Sequence, residues 1–101
     1  MKGQSTSEFI DDLISMGGPE KEFVFRNSFF FLETLYRKES NLIELYLDEY
    51  DNTNPNEKVF VVRHSFLGKT NLECVNQFEQ AKVFDGLTIY EAEPEIEVLF
   101  G

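Results

Sequence analysis

Hydrophobic residues recur along this chain with two different periods, and each period marks a kind of element. Near the N-terminus Phe9, Ile10, Leu13 and Ile14 fall into i,i+4 pairs, the spacing of one helix face, while Asp11 and Asp12 fall on the other. Ser5 stands three residues before Glu8, the spacing of a capping box, and Glu8, Asp11 and Asp12 complement the positive end of the helix dipole. Gly17-Gly18-Pro19 predicts the stop, because glycine tolerates a left-handed cap and proline cannot continue a helix.

From residue 22 to residue 66 the period shortens. Phe23-Val24-Phe25, Phe29-Phe30-Phe31-Leu32 and Val59-Phe60-Val61-Val62 are short runs of aromatic and β-branched residues, which fit a pleated surface better than a helix. Asn27-Ser28 predicts a turn or bulge between the first two runs. Lys38-Glu39-Ser40-Asn41 predicts a hairpin turn between strands over 32–37 and 42–48. A helix over 31–50 competes, since Leu32, Leu35 and Tyr36 also fit a 3.6-residue period, but the aromatic density favours strands. The Asn- and Pro-rich stretch 51–56 reads as a loop.

A second helix follows. Thr70 and Glu73 repeat the capping-box spacing, and Leu72, Val75, Phe78 and Ala81 recur every three residues with Cys74 beside them. Asp85-Gly86 ends it, residues 87–92 alternate as a strand, and residues 96–100 after Pro94 form a last short strand in one version of the reading. The order is therefore α-β-β-β-β-α-β, with or without that final strand. Strands joined by short loops imply an α+β fold: an antiparallel sheet of about five strands with two helices on one face, as a single domain over residues 1–101.

Composition supports a packed core, with eleven Phe and four Tyr, and excludes the low-hydrophobicity profile of a disordered tail. Charge changes the picture more. Nineteen acids against nine Lys and Arg leave a formal −10, which disfavours direct binding to nucleic acid or to an anionic membrane face. The single cysteine excludes an intramolecular disulfide, and no Cys/His cluster has zinc-ligand spacing. The N-terminal segment carries acids inside its apolar stretch and lacks the long hydrophobic run of a signal peptide. No window approaches the roughly 20 apolar residues of a membrane span, so the expected location is cytoplasmic.

Catalysis finds little support in the residues. His64, the only histidine, shares a strand face with Phe60, Val62 and Phe66 and reads as a packed or edge residue rather than a base. Ser65 is its neighbour, so a strand turns the two side chains to opposite faces and defeats a Ser–His pair. Cys74 lies on the apolar side of the second helix with no base nearby, and reads as a buried inert thiol. Gly68-Lys69-Thr70 lacks the upstream glycine of a phosphate loop. A calcium loop starting at Asn52 puts Glu57 where glycine is required and Arg63 where the bidentate acid belongs. The expectation is no enzyme, no metal and no cofactor.

The acids themselves are clustered. Residues 39–57 hold Glu39, Glu44, Asp48, Glu49, Asp51 and Glu57 without a base, and residues 83–101 hold Asp85, Glu91, Glu93, Glu95 and Glu97, again without a base. If residues 90–97 are extended, Glu91, Glu93, Glu95 and Glu97 project from one side as a row of like charges that opposes folding. Such a row is either a solvated face or one retained for a cationic partner, with Tyr46, Tyr50 and Tyr90 as aromatic anchors. Size and charge, rather than any motif, point to a small acidic protein-binding inhibitor of toxin-immunity or antitoxin type. It would cover the basic active-site or nucleic-acid-binding surface of a partner such as a toxin nuclease. The candidate contact residues are Glu44, Tyr46, Asp48, Glu49, Tyr50, Asp51, Tyr90, Glu91, Glu93, Glu95 and Glu97. The alternative is a non-catalytic regulatory or structural module that forms homo-oligomers through its aromatic strands.

Overall fold

A computed structural model of the chain describes residues 1–15 and 20–101; the predicted Gly17-Gly18-Pro19 stop lies outside the described residues. The first helix, α1 (Thr6–Ser15), leads into four strands joined as consecutive hairpins, β1 (Lys21–Phe25), β2 (Ser28–Arg37), β3 (Leu42–Asp51) and β4 (Val59–Gly68). The chain then crosses back through α2 (Asn71–Gln80), the four-residue α3 (Ile89–Ala92) and a 3₁₀ turn (Glu93–Glu95) to reach β5 (Ile96–Phe100). All pairings between these strands are antiparallel, in the order β4-β3-β2-β1-β5. The α+β class and the antiparallel five-stranded sheet are as expected, and residues 31–50 are two strands of a hairpin rather than a helix.

Alternation sorts the strand residues onto two faces. Phe23, Phe25, Phe30, Leu32, Leu45, Leu47, Phe66 and Ile96 join Phe9, Ile10 and Leu13 of α1 and Cys74, Val75 and Phe78 of α2 in one buried cluster. Burying each such side chain contributes roughly 1.5–3 kcal/mol, so this helix-covered face holds most of the stability. At its centre sits Phe84, a loop residue that is fully buried. Its ring meets Phe23, Phe25, Phe30 and Phe78 at centroid distances of 6.0, 5.8, 5.1 and 6.3 Å, mostly edge to face. Asp85 and Gly86 both take positive φ (52° and 81°), and Phe84 and Leu87 bond across them, which turns the Phe84 ring inward.

The helix starts follow the capping logic. Ser5 Oγ accepts from the Glu8 N–H at 3.1 Å and Thr70 Oγ1 accepts from the Glu73 N–H at 3.2 Å. Four expectations need correction. Residues 87–92 are not a strand: Thr88 and Glu91 form a complete capping box that starts α3, and the local satisfaction of those backbone groups outweighs the two-residue alternation. Leu72 is half exposed, because α2 turns Cys74, Val75 and Phe78 inward instead. The first hairpin turn falls on Arg26-Asn27, with Ser28 already in β2. Arg26 holds the left-handed conformation (φ 54°) because its guanidinium is anchored by Glu95 at 2.8 Å, by Asp85 at 3.1 Å and over the Phe25 ring. Asp12 does not simply face solvent. It reaches the Lys21 ammonium at 2.9 Å, and that fully buried group is also held by Gln4 Oε1 (3.0 Å) and the Gly101 carbonyl (2.9 Å), against the Phe9 ring.

Candidate functional site

The face of the sheet opposite the helices carries Phe29, Phe31, Tyr46, Tyr50 and Phe60, none of them in the main buried cluster. Cross-strand register places Tyr50 between Phe29 and Phe60, with edge-to-face ring distances of 5.9 and 5.6 Å. One rung along, Asp48 accepts both prongs of the Arg63 guanidinium, at 2.7 and 2.9 Å, and the same guanidinium lies 4.0 Å above the Tyr46 ring. The Tyr46 hydroxyl donates to Glu33 at 2.6 Å, and burial together with that bond pushes the phenol well above its ordinary pKa. At the next rung Glu44 accepts from Arg37 Nε (2.7 Å) and Ser65 Oγ (2.6 Å). Burial alone would raise its carboxyl, but those donors hold it below the usual carboxylate range.

The candidate contact residues therefore separate into two groups at different places. Glu44, Tyr46 and Asp48 lie on the helix-free face of β3 but are themselves buried, Tyr50 beside them is partly exposed, Asp51 ends that strand, and Glu49 sits on the opposite face with its carboxylate 3.2 Å from His64 Nε2. The Thr53 side chain, and then its N–H at 2.8 Å, close a local turn on the Asp51 carboxylate and lower its pKa. Asn54 Oδ1 accepts from the Asn56 N–H in the same way, so several of the loop oxygens serve its own turns. The second group surrounds β5, separated from β3 by two intervening strands.

That second group is not a row. Glu91 lies in α3 and caps its start, Glu93 and Glu95 lie in the 3₁₀ turn, and of the four acids Glu97 is in the strand. Each has a partner: Glu93 accepts from Thr6, Glu95 from Arg26, and Glu97 pairs with Lys2 at 3.5 Å. The Tyr90 hydroxyl donates to Glu79, which with burial pushes the phenol up to about 12. The repulsion expected of an extended Glu91–Glu97 row is thus relieved by helical geometry and by pairing.

His64 and Ser65 do point to opposite faces, opposite Leu47 and Tyr46 respectively. Phe60, however, does not share the His64 face. A bulge puts Glu49 opposite Val62 but Tyr50 opposite Phe60, so Val61 is the extra residue and Phe60 turns to the open face. Cys74 is buried, donates to the Ile43 carbonyl, and has a pKa raised by burial. Comparison with family models, with curated proteins and with solved structures finds no match. The site therefore rests on its own geometry.

That geometry singles out residues the sequence reading passed over. Among the described residues, half of the ten large exposed hydrophobic side chains lie on β4: Val59, Phe60, Val61, Val62 and Leu67. The first four are consecutive, on a strand at the edge of the sheet. Residues 58–72 also contain no acid and three bases, Lys58, Arg63 and Lys69, the reverse of the rest of the chain. That charge reversal was available as a signal, whereas the edge position was not.

Proposed function

We propose that this chain is a non-catalytic protein-binding module that captures a cationic partner protein, in the manner of an inhibitor or immunity protein. The observation that carries the reading is the concentration of exposed apolar side chains on β4 in a chain of net charge −10. A contiguous apolar strip supplies the short-range contact, and the net charge chooses the sign of the partner and speeds encounter. The acids of β3 and around β5 act in this reading through their field rather than as direct contacts, because most are already bonded within the chain.

The test is affinity capture at two salt concentrations with the native chain and with a Phe60→Thr/Val61→Thr variant, both exposed positions. A single basic protein retained by the native chain, bound more slowly at high salt and lost with the variant, supports the reading. Retention of acidic partners, or retention unaffected by the variant, overturns it. Self-association through the same strand is the second reading, favoured by the unbroken apolar run of residues 59–62. Sedimentation across a concentration series separates the two.

A further inference from the structure

We infer that the open face of the sheet binds one lysine or arginine side chain of the partner, between the carboxylates of Glu22 and Glu33 and over the ring of Phe31. This rests on the cationic-partner reading above and names its charge contact. The chain uses the same arrangement three times for its own cations. Lys21 Nζ lies 4.9 Å from the centroid of the Phe9 ring and pairs with Asp12 at 2.9 Å. The Arg26 guanidinium lies 4.7 Å from that of Phe25 and pairs with Glu95 at 2.8 Å and Asp85 at 3.1 Å. The Arg63 guanidinium lies 4.0 Å from that of Tyr46 and pairs with Asp48 at 2.7 Å. Each cation is held by the negative face of a ring and by a carboxylate.

A fourth set of ring and acids stands on the open face without a cation. In β1, Lys21, Phe23 and Phe25 are buried toward the helices, so Glu22 and Val24 point the other way. Register sets Glu22 opposite Phe31 of β2, and Glu33 follows Phe31 by two residues on the same face. Glu22 and Glu33 are therefore diagonal neighbours about 7–8 Å apart, with Phe31 beside both. All three are partly exposed. Among the described residues, no base pairs with either carboxylate and none lies over the Phe31 ring. Glu33 does accept from the Tyr46 hydroxyl, but that donor is neutral and leaves both the charge and the second carboxylate oxygen available.

These two acids differ from their neighbours on this face. Asp48 is neutralised by Arg63 and Glu44 by Arg37, while Lys58 lies over Phe29, the preceding ring on this face of β2, and donates to the Pro55 carbonyl. Like charges across a strand pair oppose folding, and a cation between them turns that repulsion into attraction. An acidic segment would add a third carboxylate to the pair, so the charge here selects a cationic one. Val24 and Leu35, both partly exposed, and the exposed Phe100 opposite Glu22 on β5 line the approach and can cover the aliphatic stem of a lysine or arginine. β2 lies two strands from β4, about 10 Å, so a partner seated on the apolar residues of β4 reaches this position as well.

Titration of the full chain with a short acetylated lysine-rich peptide, followed through the carboxylate carbon signals of Glu22 and Glu33, tests this. The native chain is compared with Glu22→Gln/Glu33→Gln and with Glu39→Gln/Glu57→Gln. The latter removes two exposed acids from the turns on either side of β3 and changes the net charge equally. Glutamine keeps the size of each side chain and an acceptor for Tyr46, so the urea midpoint should be unchanged or raised. The peptide is expected to shift both carboxylate signals, and to bind the first variant at least tenfold more weakly but the second within about twofold of the native chain. An equal, small loss in both variants refutes the contact and leaves the cationic-partner reading standing, because the acids then act only through their field. Preference for a glutamate-rich peptide, or no binding of the lysine-rich one, refutes both. A tenfold loss without movement of the native signals overturns the inference, as do signals that move with protein concentration when no peptide is present.

Discussion

Replacing Lys21 with Met tests the most unusual interaction in the fold. The Lys21 side chain has no exposed surface, and its ammonium is held by Asp12, Gln4 and the Gly101 carbonyl. These contacts tie α1, the segment before it and the last residue to β1. Hydrogen bonds to charged groups contribute about 1.5–3 kcal/mol each, but removing the ammonium also removes its own desolvation cost. Methionine keeps most of the stem, and Asp12, about a quarter exposed, can take up water once its partner is gone. The expected loss is therefore about 2 kcal/mol, and Lys21→Ala, which also leaves a cavity, should lose about 3–4 kcal/mol. Urea unfolding at pH 6 measures this as a fall in midpoint at unchanged slope. The pH dependence supplies a second check. Bonds from Lys21, then from Gln4, hold the Asp12 carboxyl below its ordinary pKa, so its contribution is present above about pH 4 and is lost as pH falls through the lowered value. The difference between wild type and Lys21→Met should shrink between pH 6 and pH 2. A loss under 0.5 kcal/mol, or one that stays constant over that range, refutes the account of Lys21 as a charged clasp.

Phe84→Ala should lose about 3–5 kcal/mol in the same assay, because it empties the point where four other rings meet, and a loss near 1 kcal/mol would mean that the loop repacks. Arg63→Met should destabilise by about 2–4 kcal/mol, since Asp48 is then left buried without its partner, and adding Asp48→Leu should restore most of it; failure of the double variant to recover contradicts the pairing argument. Thr88→Ala removes the capping box of α3 and should lose about 1 kcal/mol, without slowing capture of a cationic partner. If binding falls while stability holds, the segment around Glu91 is a contact surface after all.

Most of the sheet was legible because its signals are local. The runs beginning at Phe23, Phe29 and Val59 are strands for the reason given by their side-chain types, and the turn at residues 38–41 matches its Asn and Ser. Residues 87–92 misled because alternation and a single helical turn look alike over six residues. The Thr88/Glu91 spacing, the same signal that located the other two helices, would have decided it. The burial of Lys21 was also readable in principle, since Lys21, Phe23 and Phe25 alternate onto one face. The acids were another matter. Whether Asp48 meets Arg63, or Glu95 meets Arg26, depends on cross-strand register and on the return of β5 beside β1, neither of which a charge count contains. The edge position of β4 is likewise set by the whole topology, so the exposure of residues 59–62 is not contained in their composition.

Titrating a fluorescently labelled lysine-rich peptide into three proteins compares the two candidate surfaces directly. These are the native chain, the Phe60→Thr/Val61→Thr variant of the β4 edge, and a Glu93→Gln/Glu95→Gln/Glu97→Gln variant near β5. The account predicts that the edge variant weakens binding tenfold or more, whereas the acid variant mainly slows association and changes affinity severalfold at most. The opposite pattern, with affinity lost in the acid variant and retained in the edge variant, would contradict the assignment of β4 as the binding strand.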